Sequence, residues 1–199
     1  MNHSKENVIL MEKITNFLKT RNKNYRLWSW AIDVPLETRI EQLFSLNDIA
    51  KTSYENNLKI TKDGIVLDLG CGFCPYWPFL SKMGFNKFIG FDLYAKRGYG
   101  AQEYMETASK LVNNFCPNSS YIIIEDDVRN ILNYKNTENL YPNAIYKGNI
   151  DFIKEKNFDL IFTKNTNYKK VGSTGIPPQI FDEVCSTFLK KDGIKIYAG

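Results

Sequence analysis

Short apolar runs alternate with longer stretches of helical spacing along most of this chain. Ile65-Val66-Leu67 is apolar at consecutive positions, the pattern of a strand covered on both faces in a parallel sheet. The run ends in Asp68 and breaks into Gly70-Cys71-Gly72, so a strand at about 65–69 is predicted to stop in a glycine turn. A helix is then predicted from Pro75, tolerated in a first turn, to Gly84. A second strand follows at 87–92, ending in Asp92. A helix at about 101–115 carries Tyr104, Ala108, Leu111 and Val112 on one side and stops before Pro117. Phe158 to Thr163 reads as a later strand, Pro178 to Leu189 as a helix, and Ile194 to Tyr197 as a last strand after the Asp192-Gly193 turn. Strand and helix in alternation predict an α/β fold with a doubly wound parallel sheet.

The third strand has two readings. Tyr121-Ile122-Ile123-Ile124 has the stronger β-branched run and ends in Glu125-Asp126-Asp127. Asn143 to Ile150 is weaker, but its Asn149 stands nine residues before Phe158. Ahead of the alternating region, residues 1–60 are polar and helix-prone and are read as a helical cap or lid, with residues 61–199 as the ligand-binding core. Val8, Ile9, Met11, Ile14, Phe17 and Leu18 recur at helical spacing, and a second helix is expected from near Pro35. Between them the aromatic segment Tyr25 to Trp30 is read as a plug over the sheet, a reading compatible with a lid.

Two features carry the candidate chemistry. Gly70 and Gly72 permit a sharp turn and close approach of a ligand to bare backbone. Asp68 and Asp92 end two neighbouring strands, the second about twenty residues beyond the turn, where a carboxylate can receive ribose hydroxyls. A dinucleotide-binding turn fits less well. Its third glycine would fall at Pro75, and an acid just before the first glycine repels the pyrophosphate that such a turn holds.

VLDLGCG followed by FIGFDLY resembles the first motif and the second-strand acid of the class I S-adenosylmethionine (AdoMet) methyltransferases, and FDLIF resembles that family's fourth strand. The resemblance runs from about Asp63 to Ala198 and implies the Rossmann-like methyltransferase fold. It implies that Asp68, Gly70, Cys71 and Gly72 line the methionine part of AdoMet, that Asp92 binds the ribose, and that Leu93 lies beside the adenine. Thr163, ending the fourth strand, is expected to line the same cleft. The adenine amino group would meet Asp126 or Asp127 under the first reading of the third strand. Under the second it would meet Asn149, with the backbone of Ile150. The spacing to the next strand favours Asn149. Where the family's motif often has a third glycine, this chain has Cys74.

The acceptor side is thinner. Residues just past the fourth strand should face the methyl group, which makes Lys164 and Tyr168 the candidate catalytic residues. The one histidine of the chain is His3, far from this region in sequence. The family's Asn/Asp-Pro-Pro-aromatic motif for amine acceptors is absent, Thr163 to Thr166 reading T-K-N-T. A small polar acceptor is therefore expected, a hydroxyl of a sugar, nucleotide or metabolite. Methylation of RNA or protein, or a non-catalytic AdoMet-binding partner subunit, are the alternatives.

Bulk composition narrows this little. The 199 residues, 43% hydrophobic and 24% charged, suit one globular domain. A net charge of +4 with scattered lysines does not argue for nucleic acid. No apolar stretch approaches the roughly 18 residues of a membrane span, and a polar start with four cysteines as free thiols suits the cytoplasm. Cys71 and Cys74 have C-x-x-C spacing, but without a second such pair they are read as packing residues, and no metal site is expected. The family fold adds two C-terminal hairpin strands, for which this sequence has no counterpart. An uncovered edge strand invites a second copy, so self-association through that edge is expected.

Overall fold

The computed structural model describes residues 5–21, 63–93, 101–136, 143–155, 157–164 and 176–198. Its strands are β1 (Ile65–Leu69), β2 (Lys87–Asp92), β3 (Ser120–Glu125), β4 (Ala144–Lys147), β5 (Phe158–Lys164) and β6 (Leu189–Ala198). Its α-helices are α1 (Lys5–Arg21), α2 (Trp77–Lys82), α3 (Ala101–Phe115) and α4 (Pro178–Phe188). Two 3-10 helices, Val128–Asn136 and Asp151–Glu155, flank β4 in sequence.

The strands form one sheet in the order β4-β3-β2-β1-β5-β6. β1, β2, β3, β5 and β6 run parallel, with Asp68 opposite Gly90 and Leu69 opposite Thr163. Setting β4 aside, the order reverses between β1 and β5. That is the switch point of a doubly wound sheet, where ligands sit beyond the carboxyl ends of the strands. Consecutive side chains of a strand point to opposite faces, so each strand feeds two apolar layers. Val66, Phe88, Tyr121, Ile123, Leu160 and Phe162 pack with α1, α2 and α3; Leu67, Ile89, Phe91, Ile122 and Ile161 pack with α4 and the 3-10 helices. Met11, Ile14 and Leu18 of α1 are buried in the first layer, on the face that the helical spacing predicted. The second helix expected from Pro35, and the aromatic segment 25–30, lie outside the described residues. Among those described, no helix is long and apolar enough to cross a membrane.

The third strand is Tyr121-Ile124 with its flanks, not Asn143–Ile150. β3 lies parallel to β2 with Asp92 opposite Glu125. Ala144–Lys147 runs antiparallel along the outer edge of β3, Tyr121 opposite Lys147 and Ile124 opposite Ala144. The sheet is therefore mixed rather than wholly parallel. Burial explains the choice: β3 is covered on both faces through Tyr121 to Ile124, while β4 has no fully buried residue and exposes Tyr146. A run of β-branched side chains fits the two-faced interior position, and the more polar segment fits an edge.

Asp159 explains an acid inside the apolar run FDLIF. Its Oδ2 accepts the Ile65 N–H at 2.7 Å, and both its oxygens accept Lys190 Nζ at 2.9 Å. One carboxylate thus joins the starts of β1, β5 and β6. β6 begins at once after α4 and carries an irregularity, Phe158 pairing with Leu189 but Leu160 with Ile194, which lets Lys190 reach Asp159. Asp159→Ala should lower stability by about 1.5–3 kcal/mol through loss of charge-assisted hydrogen bonds. Chemical denaturation of the two proteins checks this; an unchanged midpoint would contradict the clamp.

Candidate active site

The carboxyl ends of β1 and β2 meet under the turn at residues 70–74. Gly70 and Gly72 have φ of 83° and 54°, left-handed values that suit residues without a Cβ. Gly70 N–H and Cys71 N–H both donate to the Phe91 carbonyl, at 2.8 and 3.0 Å. Gly72 N–H donates to Asp92 Oδ2 at 2.7 Å. The turn is therefore drawn across the end of β2 by three backbone donors. Cys74 follows at φ 58°, a left-handed cysteine in a conformation that favours glycine. Its N–H closes a turn onto the Cys71 carbonyl at 2.8 Å, and its side chain is fully buried. Packing holds this backbone against a conformational preference of roughly 1–2 kcal/mol.

Asp68 and Asp92 are each only 2% exposed. Asp68 lies opposite Gly90, and alternation puts Asp92, two residues on, on the same face of the sheet. Burial pushes the Asp68 carboxyl well above the ordinary carboxylate range; a hydrogen bond from Trp77 pulls it back, and the charge of Asp92 raises it further. The hydrogen bond runs from Trp77 Nε1 to Asp68 Oδ2 at 2.9 Å. Among the described residues it is the one hydrogen bond that the Asp68 carboxylate makes, and no cation stands beside that carboxylate.

Trp77 and Gly90 were not singled out from sequence, yet they shape this corner. Trp77 is fully buried and stacks on Phe88, ring centroids 4.9 Å apart and 13° from parallel. A Cβ on Gly90 would lie 2.7 Å from Cys71 Sγ and 2.9 Å from the Trp77 ring. The missing side chain of Gly90 is thus the space that Cys71 and Trp77 occupy. A glycine inside an otherwise apolar strand was the available signal, because such a glycine often marks close approach of another group.

The other predicted residues separate into two groups. Gly70, Cys71, Gly72 and Leu93 gather with the two acids, Leu93 following Asp92 and partly exposed. Thr163, fully buried, stands opposite Leu69 across the switch point, and Lys164 closes β5 next to it. Tyr168 lies outside the described residues. Asn149 and Ile150 do not join the site. β4 is antiparallel, so its end at Lys147 pairs with the start of β3, and Asn149 beyond it lies at the opposite end of the sheet from Asp68 and Asp92. There Asn149 Oδ1 accepts the Asp151 N–H at 2.8 Å and Ile150 packs in the second apolar layer. Asp126 and Asp127 take the place beside β2. Asp126 N–H donates to the Asp92 carbonyl at 3.2 Å, and its carboxylate accepts from Asp127 N–H and Asn130 Nδ2, each at 2.7 Å. Asp127 is held by an ion pair to Arg129.

No protein-family model matches the chain, and no curated protein matches it. Solved structures with a similar fold include an S-adenosylmethionine-dependent methyltransferase from Clostridium acetobutylicum, 21% identical with a TM-score of 0.46 over 78% of this chain and 49% of that one. A SAM-dependent methyltransferase from Thiobacillus denitrificans in complex with S-adenosyl-L-homocysteine is 14% identical, with a TM-score of 0.45 over 78% of this chain and 47% of that one. A fibrillarin/Nop5p complex is 18% identical, with a TM-score of 0.42 over 75% of this chain and 56% of that one. This chain spans about half the length of each of these.

Gly90→Ala should cost about 1–3 kcal/mol of stability, the usual penalty for adding bulk to a filled interior. Denaturant unfolding measures it; a neutral or stabilising effect would contradict the packing of Trp77 and Cys71 over this glycine.

Proposed function

We propose that the chain binds AdoMet and transfers its methyl group to an acceptor. One observation carries the reading: two buried carboxylates end neighbouring strands beneath a turn whose N–H groups are already engaged. The Gly70 and Cys71 donors go to the Phe91 carbonyl and the Gly72 donor to Asp92. These three amides are therefore turned away from the pyrophosphate that a dinucleotide would bring to such a turn. The acids favour a cation and hydroxyl groups instead, and AdoMet offers an ammonium, a sulfonium and a ribose diol.

In this reading Asp68 receives the positive end of the methionine moiety, with Gly70, Cys71 and Gly72 giving it a surface free of side-chain bulk. Asp92 accepts from the ribose hydroxyls. Leu93 and the Asp126–Asp127 turn flank the adenine, with Asp126 or Asp127 taking the role that Asn149 was expected to fill. Bound AdoMet supplies a methyl group already activated by the sulfonium charge, so the protein contributes alignment and removal of an acceptor proton. Thr163 and Lys164 close the strand across the switch point, which makes Lys164 the candidate base, with Tyr168 as the alternative. A hydroxyl on a small polar acceptor is the substrate class we favour. Its support is the absent amine-acceptor motif and the modest net charge of +4.

Isothermal titration with AdoMet and with a nicotinamide dinucleotide tests the ligand class directly. AdoMet alone should bind, and Asp92→Ala should weaken it by about 1–3 kcal/mol, the worth of lost hydrogen bonds to a charged group. Dinucleotide binding, or AdoMet affinity untouched by that substitution, would overturn the assignment. Acceptor-dependent formation of S-adenosylhomocysteine from pools of sugars, nucleotides and RNA then identifies the substrate class.

A further inference from the structure

We propose that Trp77 is a positioning residue for Asp68: its indole N–H, brought in over the bare backbone of Gly90, fixes the orientation of Oδ2 and sustains the carboxylate's charge toward a cationic ligand group. The inference rests on the AdoMet reading above and assigns a role within that site.

The geometry is specific. Gly90 is the register partner of Asp68 on the adjacent strand. Where a side chain would stand, the Trp77 ring lies 2.9 Å from the position of its Cβ. The ring stacks on Phe88 at 4.9 Å and meets Tyr121 at a tilt at 6.1 Å, so packing against β2 and β3 helps set the direction of its N–H. A buried indole N–H needs an acceptor, and here the acceptor is Asp68 Oδ2 at 2.9 Å. α2 itself is short, and its N-cap Tyr76 makes no side-chain capping bond. Apolar contact alone could be met by phenylalanine; the hydrogen bond could not.

The electrostatic surroundings give the bond its consequence. Asp92 acts on Asp68 from β2 and Asp68 in turn on the Cys74 thiol of the turn, Cys71 Sγ lies over Gly90, and the Tyr121 ring tilts against Trp77 from β3. Burial pushes the Cys74 thiol well up and also raises the Tyr121 phenol, so neither carries charge near neutral pH. Asp92 disfavours a second negative charge beside it. Among the described residues, the Trp77 N–H is the one group that favours the charged form of Asp68. Its loss should let Asp68 take up a proton more readily, and a protonated Asp68 no longer attracts a cation.

The test is AdoMet affinity by isothermal titration over a pH series from mildly acid to mildly alkaline. It compares wild type, Trp77→Phe, and a protein whose Trp77 is replaced by the sulfur isostere of tryptophan. The isostere keeps the shape of the ring and removes only the N–H, so it carries the test if the phenylalanine variant folds poorly. The affinity lost on substitution should grow by about tenfold from the alkaline to the acid end, the size of one charge-assisted hydrogen bond. In an Asp68→Asn background the same substitutions should add no pH dependence. A loss equal at every pH, or one persisting unchanged in that background, would make Trp77 a space-filling residue and overturn the proposal. Wild type that binds no AdoMet at any pH would remove the functional reading and this role with it. Wild type that binds while the variants keep its pH profile would remove this role alone.

Discussion

Two carboxylates taken out of water on adjacent strands impose the strongest constraint on this molecule. A buried charge is tolerated only with hydrogen bonds or a counter-charge. Asp92 accepts the Gly72 N–H, and Asp68 accepts the Trp77 indole. Those bonds dictate what surrounds them. The turn must curl over β2 so that Gly72 reaches Asp92, which demands left-handed backbone at Gly70 and Gly72. Trp77 must come in over β2 to reach Asp68, which demands that Gly90 have no side chain. α2 begins at Trp77 itself. Turn, helix and strand glycine are parts of one arrangement around one pair of acids.

Local patterns made much of this legible in the sequence. β1, β2, α3 and α4 lie within a few residues of their predicted spans because apolar runs and helical spacing are short-range signals. The two acids and the glycine turn follow from the same stretch. Trp77 and Gly90 escaped because their importance depends on which strand lies next to which. Nothing within a few residues of Trp77 indicates that its ring faces Asp68 across a gap left by another strand. Asp159 was read only as part of a strand for the same reason: its partners, Ile65 and Lys190, are far away in sequence.

Asn149 shows how a spacing argument can fail. Its distance from the following strand suited a strand-end polar group, but spacing does not give direction. A strand inserted antiparallel at the edge carries its final residues to the wrong end of the sheet. The stronger β-branched run at Tyr121–Ile124 was the better guide, since only it could be buried on both faces. Its end brings Asp126 against Asp92, through the Asp126 N–H and the Asp92 carbonyl. An acid therefore still stands beside the second strand, supplied by a different segment from the one the spacing favoured.

The buried acid pair also has a thermodynamic signature that needs no acceptor. Burial raises the folded-state affinity of Asp68 for a proton above that of the unfolded chain. Below the ordinary carboxylate range both states are protonated and Asp68 costs nothing. As pH rises from that range through the raised folded value, the unfolded chain ionises more readily, and the folded protein loses stability. Thermal unfolding of ligand-free wild type and Asp68→Asn, followed from acid to neutral pH, measures this directly. The two should converge at acid pH, the asparagine variant should become the more stable toward neutrality, and saturating AdoMet should stabilise wild type selectively. Superimposable melting profiles at every pH, or equal stabilisation of both proteins by AdoMet, would contradict a buried carboxylate held in readiness for a cation.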